Sequence, residues 1–211
     1  MQAELFFSTR DKEEITAAVR EVELRTSGEV AVMVVDESDS YPEGQLLAGG
    51  VLGGLLALAI ADFFLANDLW LFVALALGLT ALSGWFSGYL PGLQRLFVPA
   101  ARLEQQVARQ ALIDFYQKGL YQTRDATGVL FFISLFERKV RVLADRGIYE
   151  KISQDTLQKH ADQVARGIKS GRAAEALCHE IRQVGAILAE HFPRRPDDTN
   201  ELADEVISGR N

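Results

Sequence analysis

The sequence predicts an α/β fold with a small mixed sheet, interrupted by an inserted two-helix transmembrane hairpin. Three observations carry this reading. Residues 44–61 and 69–94 hold no charged side chain, and each run is long enough for the ~20 apolar residues that a helical span of the bilayer needs. EVAVMVVD (29–36) and VLFFISL (129–135) are almost unbroken apolar runs, and KVRVLAD (139–145) alternates; these are the patterns of two buried strands and one half-buried strand. Around them lie segments whose apolar residues recur at the helical period.

In order, Ser8 to Arg25 reads as the first helix. Ser8 and Asp11 have capping-box spacing, with Asp in place of Glu or Gln, and Ile15, Ala18, Val19 and Val22 share one face. RTSG breaks it before the first strand. The polar SDSYPEG leads into the apolar runs. After them, Val98 to Tyr121 is expected to be an amphipathic helix with Leu103, Val107, Ala111 and Phe115 inward. TRDATG precedes the second strand, and Phe136 to Lys139 has the length of a tight hairpin turn, so the second and third strands run antiparallel. The helical connection between the first and second strands suits a parallel pair joined by a right-handed crossover. Tyr149 to Ile168 and Ala173 to Phe192 read as two further helices, the latter with Ala176, Leu177, Ile181, Val184 and Leu188 as its stripe. The boundaries expected are 1–43 and 95–193 for the two parts of the α/β domain, 44–94 for the hairpin, and 194–211 for a polar, mobile tail.

Within the hairpin, Gly49 and Gly53, Gly50 and Gly54, and Gly84, Gly88 and Gly92 are spaced by four. Such ridges let helices approach closely in lipid, where packing drives association. Trp70 lies near one water boundary, and Trp85 and Tyr89 near the other, where amphipathic rings settle. The turn from Asp62 to Asp68 has no Lys or Arg, whereas Arg95, Arg102 and Arg109 follow the second run. By the positive-inside rule the soluble part and both termini face the cytoplasm. The opening MQAELFFSTRDKEE offers only Leu5, Phe6 and Phe7 where a signal peptide would have its apolar core, so the hairpin is expected to be the anchor.

The 211 residues carry a formal charge of −7, which argues against nucleic-acid binding, since that needs clustered Lys and Arg. Cys178 is the single cysteine and sits on an apolar helical face, as a structural thiol does. His160, His179 and His191 have neither HExxH spacing nor close pairing. There is no DxDx(T/V) motif, no Cys-x5-Arg loop and no glycine-rich phosphate loop opening a helix.

TSGEVAV at the first strand, TGVLFFISLFERKVRVLADRGI at the strand pair and the C-terminal FPRRPDDTNELAD together resemble the TPM domain family, some of whose members are catalogued as phosphatases. The resemblance implies a Rossmann-like α/β sandwich. It also implies weak acid phosphatase activity and divalent-cation binding, as reported for some relatives. Many relatives are exported and anchored at one end. The internal anchor here is similar to that of a membrane-embedded bacterial subgroup found alongside LemA-like proteins, which sets this chain apart from an exported phosphatase.

The strand directions pick a candidate site. If the first two strands are parallel and the third antiparallel, the end of the third meets the start of the first. Asp145 and Gly147 then lie beside Thr26, Ser27, Gly28 and Glu29. Asp145 and Glu29 could hold Ca²⁺ or Mg²⁺ through oxygen, and the cation could activate water on a phosphoryl group. The bland alternative has Asp145 capping a helix, Gly147 turning the chain and Glu29 at the surface. Asp36, Glu137 and Arg138 belong to the opposite sheet end, as a second cation or headgroup contact or as solvated loop charges. The acidic tail residues Asp197, Asp198, Glu201, Asp204 and Glu205 could dock a basic partner. Two functions stand side by side: an interaction or assembly factor with a protein partner or a second copy, and a divalent-metal-dependent phosphatase acting on phosphomonoesters.

Overall fold

A computed structural model describes residues 3–64, 69–195, 201 and 204–209. The elements in order are α1 (Ala3–Phe6), α2 (Thr9–Glu23), β1 (Glu29–Val35), α3 (Pro42–Phe64), α4 (Leu69–Ser87), α5 (Pro91–Leu96), α6 (Ala100–Gln117), a 3₁₀ turn (Leu120–Gln122), β2 (Gly128–Ser134), β3 (Lys139–Ala144), α7 (Arg146–Tyr149), α8 (Gln154–Lys169), α9 (Ala173–His191) and β4 (Ile207–Gly209). They form two compact units, one from residues 1–38 and 104–211, the other from 39–103.

The first unit is built on a four-stranded mixed sheet in the order β3-β2-β1-β4. β1 and β2 are parallel, Glu29 opposite Gly128 and Val35 opposite Ser134. β2 and β3 are antiparallel, Val129 opposite Ala144. Every residue of β1 and β2 is buried, because helices cover both faces. Val30, Val32, Val34, Val129, Phe131 and Ile133 join the core formed with α2, α8 and α9. Ala31, Met33, Val35, Leu130 and Phe132 pack with Val107, Ala111 and Phe115 of α6 on the other face. β3 buries only alternate residues, as an edge strand with one wet face does. Its outward Lys139 and Arg141 both reach Glu104.

Local chemistry sets the helix ends. Ser8 caps α2 with the reciprocal Asp11 bond of a capping box, and Ser153 caps α8. Three features differ from the sequence expectation. The segment expected as one helix from Tyr149 breaks at 150–153, because Ser153 turns out to cap a new helix and Ile152 anchors the break in the core. The helix expected from Val98 starts at Ala100, behind Pro99, and ends at Gln117, before Gly119 takes a left-handed φ of 75°. The tail read as mobile supplies β4, which pairs in parallel with β1 from Met33 to Val35. Three residues are too short a run to announce a strand by periodicity.

The second unit holds α3 and α4, each long and apolar enough to cross a membrane. They pack on one glycine ridge. A Cβ on Gly53 would come within 2.5 Å of the Thr80 backbone, and one on Gly49 within 2.7 Å of Gly84 Cα. Ser83 Oγ donates across this contact to the Gly49 carbonyl at 2.9 Å. Gly50 and Gly54 face open space. The second apolar run is not one helix to Gln94: α4 ends at Ser87, and Pro91 opens the separate α5, since proline cannot continue the helical bonding before it. Gly88 and Gly92 therefore lie beyond α4, and the expected turn residues 65–68 fall outside the described residues.

Gly53→Leu is expected to weaken hairpin packing by about 1–3 kcal/mol, the usual range for overpacking, whereas Gly50→Leu leaves it unchanged. Thermal unfolding of the two variants in the same detergent checks this.

Candidate functional site

The sheet end that carries the candidate residues is assembled by β1, β2 and β3 as expected. Asp145 N–H donates to the Gly128 carbonyl at 2.8 Å, and Gly128 pairs with Glu29. Asp145 and Glu29 thus flank Gly128, with backbones about 10 Å apart, two strand spacings. Asp145 caps α7 through its Oδ1, while its Oδ2 is buried with no hydrogen-bond partner among the described residues. Gly147 is held so close to the Asp125 and Ala126 carbonyls that a Cβ would sit 2.8 and 2.7 Å from them. Thr26 and Ser27 are brought to this end but spent on structure. Thr26 Oγ1 donates to the Phe192 carbonyl at 2.6 Å and accepts from Gly28 N–H at 3.0 Å, and Ser27 N–H donates to that same carbonyl at 3.0 Å. Among the described residues no three His, Cys, Asp or Glu side chains converge as a metal cage.

Sequence reasoning missed the carboxylates that gather around Glu29, which is buried rather than at the surface. Glu201 N–H donates to Glu29 Oε1 at 3.3 Å, and Glu201 Oε2 accepts from Arg124 N–H at 3.0 Å. Asp204 pairs with Arg20 at 2.7 Å. Glu23, at the end of α2, accepts from Val30 N–H at 3.1 Å. Burial pushes the Glu23 carboxyl up from the ordinary 4.5 to about 8, helped by the neighbouring Glu29 and Asp204 charges and opposed by the Val30 bond. Glu201 and Asp204, read as acids facing a basic partner, are thus bound within the chain. Asp197 and Asp198 lie outside the described residues. The only available hint was TNELAD in the tail, and its destination is a tertiary matter.

At the opposite sheet end Glu137 is fully buried and is no solvated loop charge. It accepts from Ser38 N–H at 2.8 Å and from the Ser134 hydroxyl, and the Ser38 and Ser134 hydroxyls meet at 2.9 Å. Asp36 Oδ1 accepts from Ala3 N–H at 2.7 Å. Arg138 takes a left-handed φ of 54° in the β2–β3 turn. Cys178 is buried, and burial pushes its thiol up, so it is an inert packing group. His160 Nδ1 lies 2.6 Å from Glu180 Oε2, a pairing between α8 and α9 that spacing within one helix could not reveal.

The TPM domain family model matches residues 93–187. Over those residues the chain is similar to the TPM domain. The match includes the strand-pair motif of β2 and β3 and ends inside α9, so the two other segments of resemblance, TSGEVAV and FPRRPDDTNELAD, lie outside it. The solved structure of the BA42 protein from the psychrophilic bacterium Bizionia argentinensis is similar to this chain at a TM-score of 0.62 and 18% identity, covering 98% of this chain and 97% of that one. At that identity the likeness is one of fold. No curated protein matches. The similarity thus rests on the strand pair β2–β3, while β1 lies outside the matched residues and joins the sheet by pairing with β2.

Two outcomes follow. Because folded Glu23 holds a proton that the unfolded chain surrenders near pH 4.5, its contribution is fully present below that pH and fades as pH rises through about 8. Glu23→Gln should therefore raise stability at pH 9 by roughly 1–2 kcal/mol, well under the unscreened value since the carboxyl is only partly buried, and leave pH 5 unchanged; urea titrations at both values test it. Glu137→Ala should cost about 2–4 kcal/mol by stranding Ser38 N–H and Ser134 Oγ, read from the same titrations.

Proposed function

We propose that this TPM-domain protein is held in a bacterial inner membrane by its hairpin, with both termini cytoplasmic, and acts there as an interaction or assembly factor in membrane-protein maintenance. The observation that carries the reading is uncovered apolar surface: Leu55, Leu69 and Trp70 are 60%, 68% and 82% exposed, on helices long enough to span. In water such a surface would aggregate, whereas in lipid it is solvated. Arg95, Arg102 and Arg109 after the second span support the cytoplasmic side. The unused Gly50 and Gly54 ridge supports contact with a partner helix or a second copy.

Carbonate-washed membranes should retain the full chain, and its complete release would overturn the anchor. Gly50→Leu combined with Gly54→Leu should disperse crosslinked oligomers, and an unchanged ladder would count against self-association.

A second reading is supported by the buried, unpartnered Oδ2 of Asp145 beside Glu29. Under it the TPM domain binds Ca²⁺ or Mg²⁺ there and hydrolyses phosphomonoesters. Asp145 would supply one carboxylate oxygen and Glu29 a second, with the cation polarising the phosphoryl group. Turnover of a generic phosphomonoester that requires the cation and is lost in Asp145→Ala would favour this reading over the first. Background turnover untouched by either change would dismiss it.

A further inference from the structure

The neck of the hairpin contains two arginines with opposite surroundings. Arg102 is saturated: its Nη2 meets Asp39 at 3.0 Å and its Nε meets Glu43 at 3.0 Å. Arg95 has neither an ion pair nor a side-chain hydrogen bond among the described residues, and its Nε is buried without an acceptor. A guanidinium nitrogen removed from water and left unpaired is costly, and the cost is relieved by an acceptor that reaches it, most strongly by an anion.

Its position is fixed by close packing. Arg95 lies in the last turn of α5. The neighbouring Gln94 is buried, and its Nε2 donates to the Ser40 and Tyr41 carbonyls at 3.2 and 3.1 Å, tying α5 to the approach to α3. A Cβ on Gly44 would come within 2.7 Å of Val98 Cγ2, so α3 and the residues after α5 touch. Meanwhile Trp85, Tyr89, Leu90 and Leu96 are exposed around the same end, with the Trp85 and Tyr89 rings paired edge to face at 5.2 Å. The end of a span is thus built with apolar side chains outside, aromatic rings at the boundary, and one uncompensated guanidinium.

We propose that Arg95 is a phospholipid-headgroup site, its guanidinium taking the phosphate of a lipid whose acyl chains lie against Trp85, Tyr89, Leu90 and Leu96. This rests on the membrane reading above. Guanidinium and phosphate are matched for paired, charge-assisted hydrogen bonds, and the surrounding apolar and aromatic groups suit a ligand with hydrocarbon attached rather than free phosphate. Arg102 cannot substitute, because its two carboxylates already occupy it.

The test uses the full chain, delipidated in nonionic detergent, with bound lipid counted by native mass spectrometry. Phosphatidylglycerol should bind about tenfold better than a diacylglycerol with the same acyl chains, and Arg95→Gln should erase most of that preference while Arg95→Lys keeps part of it. Arg109→Gln is the control for loss of a positive charge elsewhere and should change nothing. Equal phosphatidylglycerol binding by wild type and Arg95→Gln overturns the site. So does the absence of a phosphatidylglycerol preference in the wild type, which decides the matter even if the variant fails to fold. Displacement of lipid by inorganic phosphate at matched concentration would assign the site to free phosphate and overturn the lipid. Carbonate extraction of the same proteins separates the two ideas: release of the wild type defeats the anchor and the site together, whereas retention with equal lipid binding defeats the site alone.

Discussion

The parallel pairing of β1 with β2 is the constraint on which the sheet-bearing unit rests. These strands are neighbours in space but are separated in the chain by everything from Asp36 to Thr127, including the whole apolar hairpin. Parallel strands require a crossover, and here the crossover carries two helices long and apolar enough to cross a membrane. The loop-closure cost grows only with the logarithm of the excursion, so seven paired residues buried on both faces can hold it. That burial also explains the composition of β1 and β2, which have no wet face and so no alternation.

Charge is handled by the same economy of space. The sheet has two ends, and each buries a carboxylate with different support. Glu137 is surrounded by a backbone N–H and hydroxyls from the segments that follow β1 and end β2, so it acts as a pin at the point where the chain leaves the sheet. Glu29 instead sits among other carboxylates: Glu201 N–H donates to it, Glu201 in turn accepts from Arg124 N–H, and Asp204 pairs with Arg20. Burial, with the Glu29 and Asp204 charges alongside, pushes the Glu23 carboxyl up to about 8 at this end. Asp145 belongs to this second end but approaches it from β3, across Gly128.

The hairpin neck follows a related logic. Residues 44–61 of α3 and all of α4 carry no charge, and Gly49 and Gly53 let the two backbones approach closely. Polar chemistry concentrates at the point of exit, where Gln94 ties α5 to the approach to α3 and Arg102 pairs with both Asp39 and Glu43. Arg95 is the one cation of that neck left uncompensated among the described residues.

Much of this could be read from residues alone, because periodicity and charge-free length are local properties. The charge-free runs 44–61 and 69–94, the buried strands, the alternating β3, the Ser8 cap and the α6 and α9 stripes all follow from spacing along one element, and the mixed strand directions follow from connection length. Juxtaposition of distant segments was decided only in three dimensions. β4 on the edge of β1, Glu201 and Asp204 returning to α2 and β1, and His160 meeting Glu180 all join residues far apart in sequence. Nothing in a tail's composition fixes the strand it joins or the charge it meets, because those energies exist only once both partners have been placed by the core.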